Sequence, residues 1–188
     1  AFSVIFFTVT SGAGYGLIAL LCLFNFLYFG MLFDKTNFLI FSGVSVALFT
    51  MGLISSTFHL ANPKNAWRAF MRFRTSWLAR EGLLAILFYP TLFLYLILIY
   101  FDFYKEYFLI MQLYSIYIFF FAIVIIYCTG MIYACLKTIP QWNTIWTPIN
   151  YITIGVYLGS LIFFLLLSIN EYNINPYKPI LLIVITLA

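Results

Sequence analysis

Between Phe2 and Phe33 the chain carries no charged residue, and uncharged runs of twenty or more residues recur along its length. A helix needs about 20 apolar residues to cross a roughly 30 Å hydrocarbon core. Only 7% of the 188 residues are charged and 65% are hydrophobic, against about a quarter charged in a soluble domain. The reading is an all-α integral membrane protein, a polytopic helical bundle. Strict two-residue alternation is absent, which argues against a lipid-facing barrel. The net charge of +4 comes from positives too few and too local for a nucleic-acid footprint.

The spans follow from the breaks in the apolar runs. Ser11-Gly12-Ala13-Gly14 interrupts the first run with small residues that permit close helix packing. That span is Ala13–Phe33, or a longer tilted helix that begins earlier. GAGYG is no phosphate loop, because no Lys follows it and it sits in a membrane run. Asp34–Asn37 is a tight turn, and Phe38–Phe58 is the second span. Gly82–Phe101 is the third, with Pro90 expected to kink it. Tyr107–Leu136 is the fourth, long enough to tilt. Lys137–Asn150 is a polar loop with two prolines and two tryptophans. Tyr151–Ile169 is the fifth span, and a sixth begins at Ile180. Ile180–Ala188 is only nine residues, too short to span, so the chain is expected to be a piece lacking C-terminal helices. The first run lacks a basic leader and a clear cleavage site, so no signal peptide is assigned. No repeat or linker divides the chain, and residues 1–188 are read as one domain.

Ile54–Glu81 is the longest polar interruption. It holds the only histidine, His59, five of the nine Lys/Arg and one of the five carboxylates. Asn62-Pro63 has the form of a helix start, a cap followed by proline at the first helical position. Lys64, Arg68 and Arg72 then recur at i, i+4, i+8, opposite Trp67, Phe70, Met71 and Leu78. This predicts an amphipathic connector over 62–80 lying in the headgroup layer. Such connectors commonly do no more than anchor to anionic lipid. His59 closes the second span and Glu81 opens the third, so both belong at one membrane edge beside Arg80. Ionisable groups there are candidates for chemistry. An imidazole titrates near neutrality and can accept a proton from a bound quinol, with Glu81 taking a second. The plainer alternatives are a helix-end cap for His59 and a salt bridge from Glu81 to Arg80 or Arg74.

Metal chemistry has little to work with. Cys22, Cys128 and Cys135 all fall in apolar runs without a CxxC pair, and an iron–sulfur cluster needs about four thiolates. One histidine cannot ligate a haem from both sides. No metal site, haem or cluster is expected on this chain. A transporter or channel would place ionisable residues near mid-bilayer and break its helices. Here the charges sit at turns and only Pro90 suggests a break. A purely structural anchor is the other alternative.

The segment STFHLANPKNAWRAFMRFRTSWLAREGL, from Ser56 to Leu83, resembles the HL-x-x-P-x-x-A-(W/F) and RE motifs of the membrane anchor subunits of dimethyl sulfoxide reductases and related molybdenum oxidoreductases. IPQWNTIWTPIN is similar to that family's loop before its fifth helix. The order agrees, and the likeness spans essentially the whole chain, about two-thirds of a family member. The resemblance implies an eight-helix subunit, of which five full spans and the start of a sixth are present. It implies an iron–sulfur electron-transfer subunit and a molybdopterin catalytic subunit as partners, with those cofactors on them, and menaquinol oxidised on the docking face. The family's quinol-site residues map onto His59 and Glu81, with Arg80 and Trp67 beside them. Lys64, Arg68, Arg72, Arg74, Trp142 and Trp146 are the expected docking residues. Ala61 stands where the family usually has Gly. The resemblance places the protein in a bacterial or archaeal inner membrane.

Each full span switches faces, so the His59 stretch and the Trp142/Trp146 loop share one face. The positive-inside rule, with six Lys/Arg on that face against three, points to the cytoplasm. The resemblance points to the outer face, and the periplasmic side is the expectation adopted.

Overall fold

The computed structural model describes residues 2–27, 34–57, 71–170 and Thr186. Five helices follow in order: α1 (Phe2–Leu27), α2 (Lys35–Thr57), α3 (Trp77–Tyr100), α4 (Phe108–Ala134) and α5 (Trp146–Ile169). A 3-10 turn at Phe103–Lys105 joins α3 to α4. There is no strand among the described residues. Each helix is long and apolar enough to cross a membrane. At 1.5 Å per residue, helices of this length reach about 35–40 Å, enough to cross the core with some tilt.

The first span is the longer of the two alternatives, beginning at Phe2. The third begins at Trp77, five residues before Gly82. Ser76 caps it in an extended conformation (φ −116°, ψ 123°), its hydroxyl accepting from the Ala79 N–H at 3.4 Å. Residues 77–80 of the expected connector therefore form the first turn of α3. The remaining residues, 71–75, form a turn, and 62–70 lie outside the described residues. The fifth span begins at Trp146, not Tyr151. Pro148 misleads the sequence reading, but it sits in the first turn, where a missing N–H breaks no hydrogen bond. The start of a sixth span falls outside the described residues.

The helices alternate in direction. Ser55, near the end of α2, donates to the Ser3 carbonyl at the start of α1 (3.1 Å). Lys35, opening α2, pairs with Asp102 beyond the end of α3 (3.0 Å) and donates to the Tyr100 carbonyl (3.1 Å). Asp102 adopts the left-handed conformation (φ 61°), which Asp tolerates better than most residues.

Helix α1 is the central element, packed against α2, α4 and α5. It is buried without interruption from Ala13 to Cys22. Lipid tails are as apolar as Leu, so close packing must supply the association energy. Two Gly-x3-Gly pairs do this: Gly12/Gly16 on α1 and Gly155/Gly159 on α5. A Cβ on Gly16 would collide with the Gly155 carbonyl, and one on Gly159 with the Gly16 backbone. On the other side of α1, Ser45 of α2 donates to the Gly14 carbonyl at 2.7 Å.

Aromatic rings join four helices. Tyr15 stacks on Phe49 (4.8 Å) and meets Phe88 edge-on (5.5 Å), and Phe88 meets Phe121 edge-on (5.2 Å). Helix α3 runs through Pro90 to Tyr100. The Thr91 hydroxyl donates to the Phe88 carbonyl (2.8 Å) and reaches that of Leu87 (3.2 Å), the kind of side-chain bonding that lets a membrane helix carry proline.

Candidate functional site

Glu81 is the fifth residue of α3, inside the helix rather than ahead of it, and only 4% exposed. Its Oε1 accepts from the Thr129 hydroxyl, on the last turns of α4. That hydroxyl also reaches the Ile125 carbonyl at 3.2 Å. No ion pair to Glu81 occurs among the described residues. A carboxyl buried at the membrane edge thus has one neutral partner. Burying a carboxylate is costly unless it is paired, so an unpaired one in a span is a candidate for chemistry.

Arg80 adjoins Glu81 in sequence but turns elsewhere. Successive residues on a helix do not share a face. Its Nε donates to the Phe73 carbonyl (2.9 Å) and its Nη2 to that of Arg74 (2.6 Å). The guanidinium lies over the Trp77 ring, 4.2 Å from its centroid, within cation–π range. Arg80 therefore ties the 71–75 turn to the first turn of α3. The salt bridge weighed for Glu81 with Arg80 or Arg74 is not formed.

Arg72 and Arg74 are exposed on the turn before α3. Trp142 and Trp146 are 42% and 65% exposed at the other loop on the same face. Trp142 packs edge-on against Tyr133 (5.6 Å), and Asn143 Nδ2 donates to the Ala134 carbonyl, closing the end of α4. The structure thus brings Glu81, Arg80, Arg72, Arg74, Trp142 and Trp146 to one membrane face. His59, Lys64, Trp67 and Arg68 lie outside the described residues. No group of three His, Cys, Asp or Glu that could hold a metal occurs among the described residues.

Two buried residues, one on α4 and one on α1, carry no signal of a site in the sequence. Thr129 is a single hydroxyl in an apolar run, and only the fold shows which carboxyl it meets. Tyr15 is 1% exposed, and its hydroxyl has no hydrogen-bond partner among the described residues. Its position in GAGYG reads as packing.

The family model described as DMSO reductase anchor subunit (DmsC) matches residues 1–188. The chain belongs to the DMSO reductase anchor subunit family. The chain is also similar to a sulfite dehydrogenase subunit of Allochromatium vinosum, at 30% identity over 193 residues. That match covers 94% of this chain and 57% of the relative, so the chain spans little more than half of the relative's length. No solved structure matches. Membership agrees with the five apolar helices, and it makes this chain a membrane-embedded anchor subunit of the DMSO reductase type.

Proposed function

We propose that this anchor subunit binds and oxidises menaquinol at the face carrying His59 and Glu81, and passes the electrons to an iron–sulfur partner subunit. The observation that carries the proposal is Glu81: a carboxyl buried in a span, held by one threonine hydroxyl and no cation among the described residues. A menaquinol becomes menaquinone by losing two protons and two electrons. His59 takes one proton at its imidazole nitrogen and Glu81 the other at a carboxylate oxygen, and both release them to water. Arg80, bonded to the preceding turn, holds a positive charge and the shape of the loop rather than pairing with the carboxylate. The electrons leave for the partner's iron–sulfur centre, which supplies the redox chemistry this chain's residues do not.

The exposed Arg72, Arg74, Trp142 and Trp146 support a docking surface on that same face. With Lys64 and Arg68 it would receive the iron–sulfur subunit, and a molybdopterin subunit would complete the complex. The proposed setting is a prokaryotic inner membrane, with the docking face periplasmic. The relative's name, a dehydrogenase, favours a second reading in which the same groups deliver protons to quinone and electrons flow inward.

His59→Ala and Glu81→Gln test both directions. Each should lower quinol- or quinone-linked turnover by about 10²–10⁴-fold, the usual share of a positioned acid or base, while dye-linked activity of the catalytic partner persists. Normal quinol turnover in either variant would remove that residue from the site.

A further inference from the structure

A cavity of about 230 Å³ lies between α1, α4 and α5. Gly12 and Gly155 line it, and a Cβ added to Gly12 would lie 3.7 Å from the Gly155 Cα. Its lining changes character with depth. Val9 and Ile154 line it and are 45% and 55% exposed at the surface of the bundle. Tyr15 and Thr129 line it and are buried. The Tyr15 hydroxyl is buried without a hydrogen-bond partner, and the Thr129 hydroxyl donates to Glu81. An apolar mouth at the surface of the bundle, with Thr129 and its link to Glu81 at the inner end, suits an amphiphile with a polar ring and a hydrocarbon tail. A cavity of ~150 Å³ accepts one benzene ring, so this one has room for two fused rings.

We infer that this cavity admits the ring of a naphthoquinol from the lipid between α1 and α5, with Tyr15 as a positioning residue and Thr129 as the link to Glu81. The inference rests on the proposed quinol reaction and names the entry route and the contacts it would use. Thr129 has one proton, committed to Glu81, and lone pairs left to accept another. A quinol O–H gives its proton to the Thr129 oxygen as the threonine proton passes to the Glu81 carboxylate. Threonine ends unchanged, Glu81 gains one of the quinol's two protons, the other goes to His59 as in the proposed reaction, and the two electrons leave for the partner's iron–sulfur centre. Tyr15 closes the inner end of the cavity and limits the depth of the ring, while the tail stays beside Val9 and Ile154.

The test is photolabelling by an azido-naphthoquinone in membranes containing the intact protein, combined with quinol kinetics normalised to reduced-dye turnover. Label should map to Thr8–Tyr15 and Tyr151–Leu158 and be displaced by excess menaquinone. Ile154→Trp, at a position 55% exposed on the bundle surface, should block the mouth and raise KM for a tailed naphthoquinol by about tenfold or more. Val9→Trp, at the same mouth, should raise KM in the same direction with kcat little changed. Label confined to segments other than Thr8–Tyr15, Ile126–Thr129 and Tyr151–Leu158, or KM within twofold of the parent in both variants, overturns the inference. Loss of quinol turnover in Glu81→Gln alongside unaffected cavity variants leaves the proposed reaction standing and removes the cavity from it. Label in the cavity of a protein that turns over no quinol keeps the binding site and removes the reaction.

Discussion

At the scale of single residues, a hydroxyl decides what Glu81 can do. Thr129 is its one hydrogen-bond partner among the described residues, so the pair has no redundancy. Thr129→Val should leave the carboxyl buried without a donor and lower quinol-linked turnover by about tenfold or more. Thr129→Ser keeps the donor and should restore most of it. A Thr129→Val rate equal to the parent's would remove the hydroxyl from the reaction, and a Val variant faster than the Ser variant would assign the effect to methyl packing. At the opposite face, the Lys35 hydrogen bond holds the Asp102 carboxyl below the usual carboxylate range, with Tyr104 and Lys105 adding to it. A carboxyl lowered in the folded state contributes stability above its unfolded pKa and loses it as pH falls through the folded value. The Lys35–Asp102 pair is therefore intact at neutral pH and opens only in acid below the ordinary carboxylate range. A pH titration of melting in detergent, comparing parent with Asp102→Asn, should show the two curves converging there. Both side chains are about one-third exposed, so the separation at pH 7 should be small.

Among whole elements, α1 carries the assembly because it is thin where neighbours approach. Gly12, Gly14 and Gly16 let α2 and α5 come close on two sides, and Gly155 and Gly159 answer from α5. Gly16→Ala places a methyl against the Gly155 carbonyl, a backbone atom that cannot rotate away. Overpacking of this kind costs about 1–3 kcal/mol, and thermal unfolding in detergent should record it. Gly43, with nothing within 4 Å of an added Cβ, serves as the control: Gly43→Ala should be neutral or slightly stabilising. The start of α3 depends on its cap instead. Ser76→Ala removes the acceptor for the Ala79 N–H and should cost about 1 kcal/mol. It should also loosen the turn that Arg80 fastens, one turn from Glu81.

The whole molecule is a bundle whose helices alternate in direction and leave two unlike faces. One carries Arg72, Arg74, Arg80, Glu81 and the tryptophans of the α4–α5 loop, and the other carries the Lys35–Asp102 pair. If the first is periplasmic, Asn62→Cys should react with an impermeant thiol reagent from outside, and Asn173→Cys only after the inner face is exposed. Labelling of Asn62→Cys from the cytoplasm alone would reverse the proposed orientation. Hydropathy predicted the five spans because crossing hydrocarbon is a demand on each helix separately. It misplaced the starts of α3 and α5 by five residues each. Arg80 reads as the end of the connector, Glu81 as the edge of the third span and Pro148 as loop, yet a carboxyl can enter a span once a neighbour bonds it, and proline costs little in a first turn. The family motifs around His59 and Glu81 were likewise legible, since they are local strings of residues. The sequence alone thus determined the membrane class, the span count over the described region and the family. Only the tertiary structure decided that Arg80 turns from Glu81 to the preceding turn, that Thr129 holds the carboxyl, and that α1, α4 and α5 leave a cavity lined by Thr129 and Tyr15. Those are contacts between helices distant in sequence, set by which faces pack, and a pattern along one chain carries no record of its partner across the bundle.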